Sequence, residues 1–297
     1  MRGWARWRTA PLLLAAPLLA GCGPQYAVLD PAGPVGHIEY RLIVLSSAAM
    51  AVVIGFVYVL FAYVLVRFRD KPGRRAPYRP DWAGDRRLEV LWFLIPVALL
   101  ATIAVPTVRE TFYLAKLPPA RHRLVIDVTA MQWKWLFQYP AQHVATVNYV
   151  EIPARTDVLF RLTANGPMNA FWVPRLGGLE YTMPGRVLPL WLEANRPGTY
   201  WGHGGQFSGL GFERMFFTVR AVPRARFAAW ARAVRRTARP MTMADLKRLL
   251  YPAVTGQTAF SAYPSRSFPP VSHGFSLTGG MYTIYARRPP EKLLPNQ

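Results

Sequence analysis

Twenty-five consecutive residues, Leu42 to Val66, carry no charged side chain, and Arg41 and Arg67 bracket them. As an α-helix such a run is about 37 Å long, enough to cross a hydrocarbon core of about 30 Å. Tyr40, Tyr58 and Tyr63 lie towards its ends, where amphipathic rings favour the interface. A second uncharged run, Val90 to Val108, has 19 residues, or about 28 Å, and just spans if nearly upright. Its Pro96 and Pro106 would break a soluble helix but are tolerated in a membrane, where neighbouring groups support the freed carbonyls. The chain is therefore expected to be a membrane protein, as its 52% hydrophobic composition and mean hydropathy of +0.11 also suggest.

Between the runs, residues 67–87 hold eight basic side chains against Asp70, Asp81 and Asp85. The positive-inside rule makes this loop cytoplasmic, so residues 41–110 form a hairpin with both ends on the outer face. The formal charge of +21 is thereby largely orientation and lipid contact, which argues against nucleic acid as a partner. Ahead of the hairpin, Arg2, Arg6 and Arg8 precede an apolar stretch from Ala10 to Ala20, the pattern of a bacterial signal peptide over residues 1–21. Leu18-Leu19-Ala20-Gly21-Cys22 resembles the lipobox of bacterial lipoproteins, which implies cleavage and diacylation at Cys22, a mature outer segment over residues 22–40, and attachment to membrane lipid. Cys22 is the single cysteine, so nothing downstream can form a disulfide or a thiolate metal site.

After Pro118-Pro119 the pattern shifts to period two with Gly, Pro and Asn turns. Segments 123–129, 144–152, 158–163, 187–193 and 215–221 read as short strands, and residues 120–222 as an antiparallel all-β sandwich. Helical signal returns over 223–252, where Phe227, Trp230 and Val234 share a face and Thr242-Met243-Ala244-Asp245 is a capping-box pattern opening a helix over 243–250. Residues 224–248 carry eight basic side chains against Asp245, which reads either as a solvated face or as a dock for lipid headgroups or an acidic partner. Residues 253–297, rich in Gly, Pro, Ser and Tyr without periodicity, read as largely disordered.

Lipobox, two-helix hairpin, outer sandwich and short helical arm, in that order, resemble subunit II of the haem-copper respiratory oxidases, whose outer domain is a cupredoxin. The residues that carry the likeness are Glu89-Val90-Leu91-Trp92-Phe93-Leu94-Ile95-Pro96, Met131-Gln132-Trp133-Lys134-Trp135, Met168-Asn169-Ala170-Phe171-Trp172-Val173-Pro174 and Met183-Pro184-Gly185. Copper-containing members need a His before the Val-Pro step and a later Cys-x3-Cys-x3-His-x2-Met loop, in which bridging thiolates, imidazole and thioether hold two metals. By that alignment the ligand positions here are Asn169, Phe207, Gly211, Met215 and Thr218. The resemblance narrows to the copper-less quinol oxidases of the cytochrome bo type. It implies an accessory subunit that itself binds no cofactor or metal, haem and copper in subunit I, ubiquinol as substrate of the complex, and subunits I, III and IV as partners, without cytochrome c. The implied location is the bacterial plasma membrane, with the sandwich on the periplasmic side.

Glu89, at a helix mouth on the cytoplasmic side, is expected to collect protons; its alternative is a carboxylate favoured by the helix dipole. Trp133 and Trp135 match the aromatic patch that receives electrons in copper-containing relatives, and without copper they read as packing or subunit-contact residues. Arg175 and Arg186 are expected to face subunit I or the haem propionates. His203, four residues before Phe207, reads as a surface or hydrogen-bonded residue rather than a ligand. The competing function is a membrane-tethered cupredoxin-like lipoprotein that acts as a binding or assembly factor.

Overall fold

The computed structural model describes residues 27–69, 84–116, 118, 123–265 and 267–268. Cys22, most of the loop between the apolar runs and the end of the tail lie outside the described residues. The chain forms two compact units, one of them Ile38–Leu117.

The first of these units is helical. Helix α1, Pro34–Arg67, contains the longer apolar run, and α2, Arg86–Leu114, contains the shorter. Asp85 caps α2 by accepting the Arg87 amide proton at 2.9 Å, with Glu89 in the first turn. Within α2 the hydroxyls of Thr102, Thr107 and Thr111 bond back to carbonyls three or four residues earlier, so they leave no unpaired donor in an apolar environment. Along both helices large apolar side chains such as Phe56, Val59, Phe93 and Val105 are more than half exposed. A surface of that kind is matched to lipid, and the protein is membrane-anchored.

The other unit is a two-sheet sandwich. Six strands lie in the order β11 (Thr258–Phe260), β3 (Val144–Val147), β2 (Lys134–Tyr139), β1 (Leu124–Met131), β5 (Val158–Asn165) and β8 (Leu188–Leu192). Five more lie in the order β4 (Tyr149–Pro153), β10 (Phe216–Val222), β9 (Gly198–Gly204), β6 (Asn169–Val173) and β7 (Gly177–Thr182). Most neighbours are antiparallel, but β1–β5 and β10–β4 are parallel. Alternate residues meet between the sheets, where Trp135, Phe137, Phe160, Phe171 and Phe217 are fully or almost fully buried. Phe171 and Phe217 stack at 4.8 Å, and Trp135 meets both edge-on at 5.4 Å.

Two expectations are corrected. Residues 144–152 are two strands in different sheets, because Asn148 takes φ 58° between them. Its amide holds the crossing: Oδ1 accepts the Trp135 amide proton at 2.8 Å, and Nδ2 donates to the Thr255 carbonyl. The tail is also not disordered from residue 253 onward. Strand β11 pairs with β3, and Phe260 packs with Met131, Leu136, Met241 and Leu246 in a second apolar cluster.

The arm consists of α3, Arg224–Thr237, and α4, Met243–Leu250. Phe227 and Trp230 of α3 pack on Tyr139, and Trp230 also meets Tyr149. Thr242 opens α4 in a reciprocal capping box with Asp245, whose carboxylate is further held by both Arg239 nitrogens at 2.7 and 2.9 Å. That pairing and the cap hold the Asp245 carboxyl well below the usual range.

Candidate functional site

The expected ligand positions converge only in part. Asn169 opens β6 facing inward and is 2% exposed, and Met215, which precedes β10, is 1% exposed. The Asn169 Nδ2 donates to Met215 Sδ at 3.2 Å and to Ser208 Oγ at 3.3 Å. Its Oδ1 accepts the Ala170 amide proton at 2.8 Å, so the buried amide is satisfied by its own surroundings. Phe207 instead turns outward, 77% exposed, with its ring 5.8 Å from Phe212. Thr218 stands on the outward side of β10, where its hydroxyl accepts from Gln257 Nε2 at 3.0 Å.

Trp133 fills the space beside Gly211. A Cβ added at Gly211 would lie 2.4 Å from the indole ring, and one at Gly209 3.2 Å from it. The indole Nε1 donates to the Ser208 carbonyl at 3.1 Å, and Gln132 Nε2 donates to the same oxygen at 3.2 Å. A dinuclear copper centre does not fit these residues: they supply one thioether, already in contact with an amide, and offer neither thiolate nor imidazole. Ser208, absent from the sequence-level expectation, is the hub of this region, and nothing but its place in the turn could have marked it.

Of the two readings given for the tryptophans, packing or subunit contact, burial within this chain agrees with packing. Trp135 is fully buried and donates from Nε1 to the Met215 carbonyl at 3.4 Å, while Trp133 is 5% exposed beneath the loop. Both are packing residues. Arg175 also has a partner within the chain: its guanidinium pairs with the Asp30 carboxylate, its Nε donates to the Asp30 carbonyl at 3.0 Å, and it lies over the Tyr200 ring. It pins residues 30–37 to the sandwich together with backbone bonds from Ala32 to Arg175 and from Gly36 to Leu176. A Cβ at Gly33 would fall 2.2 Å from the Glu193 carbonyl, so that close approach requires glycine. Arg186 is exposed in the turn after Met183.

His203 lies with Nδ1 2.7 Å from the Gly204 carbonyl, its ring stacked on Trp201 at 5.0 Å and next to Trp172 at 5.1 Å. Among the described residues no three His, Cys, Asp or Glu side chains converge as a metal cluster. Together with Phe216, these rings form an aromatic ladder on the outer face of the five-stranded sheet.

Residues 136–222 match the family model for the periplasmic domain of cytochrome c oxidase subunit II. The chain is 40% identical over 264 residues to quinol oxidase subunit 2 of Bacillus cereus, with 87% of this chain and 91% of that protein covered. It is 36% identical over 261 residues to quinol oxidase subunit 2 of Bacillus subtilis, covering 85% and 81% respectively. With cytochrome bo(3) ubiquinol oxidase subunit 2 of Pseudomonas putida the identity is 34% over 248 residues, covering 82% and 77%.

Proposed function

The chain belongs to the quinol oxidase subunit 2 family, and we propose that it acts as the copper-free, non-catalytic second subunit of a proton-pumping ubiquinol oxidase. Its work in that assembly is structural. The hairpin anchors it, the sandwich and arm present a folded outer domain, and quinol oxidation and oxygen reduction proceed at the haem and copper of subunit I.

The observation that carries the copper-free reading is the closed set around Asn169. Its amide, the Met215 sulfur and the Ser208 hydroxyl are already bonded to one another, and Trp133 lies against Gly211. An electron relay needs a redox centre, and these side chains offer neither thiolate nor imidazole to bind one, so a donor that reaches subunit I from within the membrane is the consistent partner. Reduced cytochrome c is not.

The finer assignments follow from the same reading. Cys22 carries the lipid anchor, the basic loop faces the cytoplasm, and subunits III and IV join subunit I as partners. Glu89 belongs to the proton-collecting mouth on the cytoplasmic side, and exposed Arg186 remains as the arginine free to meet another subunit.

Purification of the intact complex from native membranes tests the proposal. Haem is expected to copurify with this chain, oxygen uptake to proceed on ubiquinol and not on reduced cytochrome c, and the separated chain to hold no copper. Copper in the separated chain, or oxidation of cytochrome c, would overturn the reading.

A further inference from the structure

Four arginines from two elements line one cavity of about 480 Å³ without a carboxylate among its lining residues. Arg123 enters from the start of β1, and Arg224, Arg232 and Arg235 come from one flank of α3. None of the four forms an ion pair among the described residues. The carboxylate adjoining the lining in sequence, Asp157, lies near Glu193, whose carboxyl burial and the Asp157 charge push up. Like charges brought together around a cavity repel unless an anion is added.

Two buried polar atoms give the same indication. Arg123 Nε and Gln142 Oε1 are buried without a hydrogen-bond partner. An unmade bond from a buried guanidinium N–H is costly, and nearly all such groups in folded proteins are satisfied. Turning the Gln142 amide by half a rotation would point two N–H donors into the same space. Apart from Thr156, the remaining wall, Leu124 and Phe227 among it, is apolar.

We propose that this cavity between the start of β1 and α3 binds a phosphate-bearing anion. Guanidinium forks match phosphoryl oxygens with paired, charge-assisted hydrogen bonds. The apolar wall suits the carbon skeleton that carries the phosphate. An acidic phospholipid headgroup and a free phosphate compound share this chemistry. The inference depends on neither the copper-free reading nor the oxidase assembly.

The test uses the full-length chain, purified in detergent and stripped of lipid, titrated separately with pyrophosphate and with phosphatidylglycerol, with phosphatidylcholine as the neutral control. At least one anionic probe is expected to bind saturably, and the neutral lipid is not. Arg232→Gln with Arg235→Gln is expected to weaken binding about tenfold or more, the scale of losing charged hydrogen bonds. Arg226→Gln with Arg236→Gln removes the same charge from the same helix outside this cavity, and is expected to change affinity by no more than about twofold. All four positions are exposed, so neither double variant endangers the fold. Binding of phosphatidylglycerol alone identifies a lipid headgroup, and binding of pyrophosphate alone a free phosphate. Saturable binding of neither, equal losses in the two double variants, or binding of a polyglutamate peptide without either phosphate probe would overturn the proposal.

Discussion

On the outer face of the six-stranded sheet, β1, β2 and β5 carry Asp127, Thr129, Lys134, Gln138 and Arg161, polar side chains that would ordinarily meet water. There the arm and tail cover them. Asp127 takes a bidentate pair from Arg161 at 2.5 and 2.8 Å, Gln138 donates to Ser267 Oγ at 2.5 Å, and Lys134 Nζ donates to the carbonyls of Leu249 and Tyr251 at 3.2 and 2.7 Å. The five-stranded sheet is the reverse. Its outer face holds Leu179, Tyr181, Trp201 and Phe216, all more than 40% exposed, beside Trp172 and His203. A face that is covered by its own chain gains by pairing its polar atoms, and here most are paired, Thr129 Oγ1 and Gln138 Oε1 being buried without a partner, whereas the other face is rich in exposed rings. The difference makes the tail part of the fold, and predicts that substitutions on the two faces behave oppositely.

The largest effect is expected where the cover is apolar. Phe260→Ala should destabilise the full chain by about 3 kcal/mol, because a buried ring leaves a cavity in a small cluster. Urea unfolding followed by tryptophan fluorescence measures it, and a loss below about 1 kcal/mol would mean that the tail lies on the sheet without holding it. Asp127→Asn should cost about 2 kcal/mol by the same assay, since Arg161 keeps its charge but is 42% exposed and regains water. An equal cost at 1 M salt is expected for the buried end of the pair, and a screened, vanishing one would place it at the surface.

How far these faces could be read from the chain differs for clear physical reasons. The two apolar runs are legible because a membrane demands length and lack of charge, both visible locally, and Thr242 and Asp245 announce α4 because a cap is a contact across three residues. Strand β9, Gly-Thr-Tyr-Trp-Gly-His-Gly, reads as a turn. It is a strand in which two of the inward positions are glycine because Phe217 and Asn169 fill the volume: a Cβ at Gly202 or Gly204 would lie 2.2 or 2.6 Å from them. Strand β11 has three residues, and its anchors lie more than a hundred positions away in β3, so no local period reveals it. The ligand positions followed from the resemblance to the family's loop, but the closure of Trp133 on Gly211 and the burial of Trp135 are contacts between distant segments.

Lys134 sharpens the comparison through pH. Burial lowers its ammonium to about 8, against about 10.4 in an unfolded chain, and its partners are the two neutral carbonyls of Leu249 and Tyr251. Between those values the unfolded chain binds more protons, so stability rises with pH instead of falling. The buried tyrosines act in the opposite sense, because burial holds Tyr139, Tyr149 and Tyr263 above their ordinary value and the unfolded chain ionises first, but they are the same in Lys134→Met and cancel in the comparison. Relative to Lys134→Met, the unsubstituted protein should gain about 2 kcal/mol from pH 8 to 9.5 in parallel unfolding curves. A flat difference would show that the ammonium is solvated and that the arm does not seal over it.

The bare face should respond least. Trp201 is 46% exposed, packs mainly on His203 and Phe216 beside it, and lies over no cluster of the core. Trp201→Ala in the isolated full chain removes ring contacts but opens no cavity, so the expected loss is within about 0.5 kcal/mol by urea unfolding. Phe260→Ala, made in the same background, supplies the scale against which that small number is judged. A Trp201 loss as large as the Phe260 one would mean that the aromatic ladder is a covered, load-carrying layer like its counterpart on the six-stranded sheet, and the distinction between the two faces would be lost.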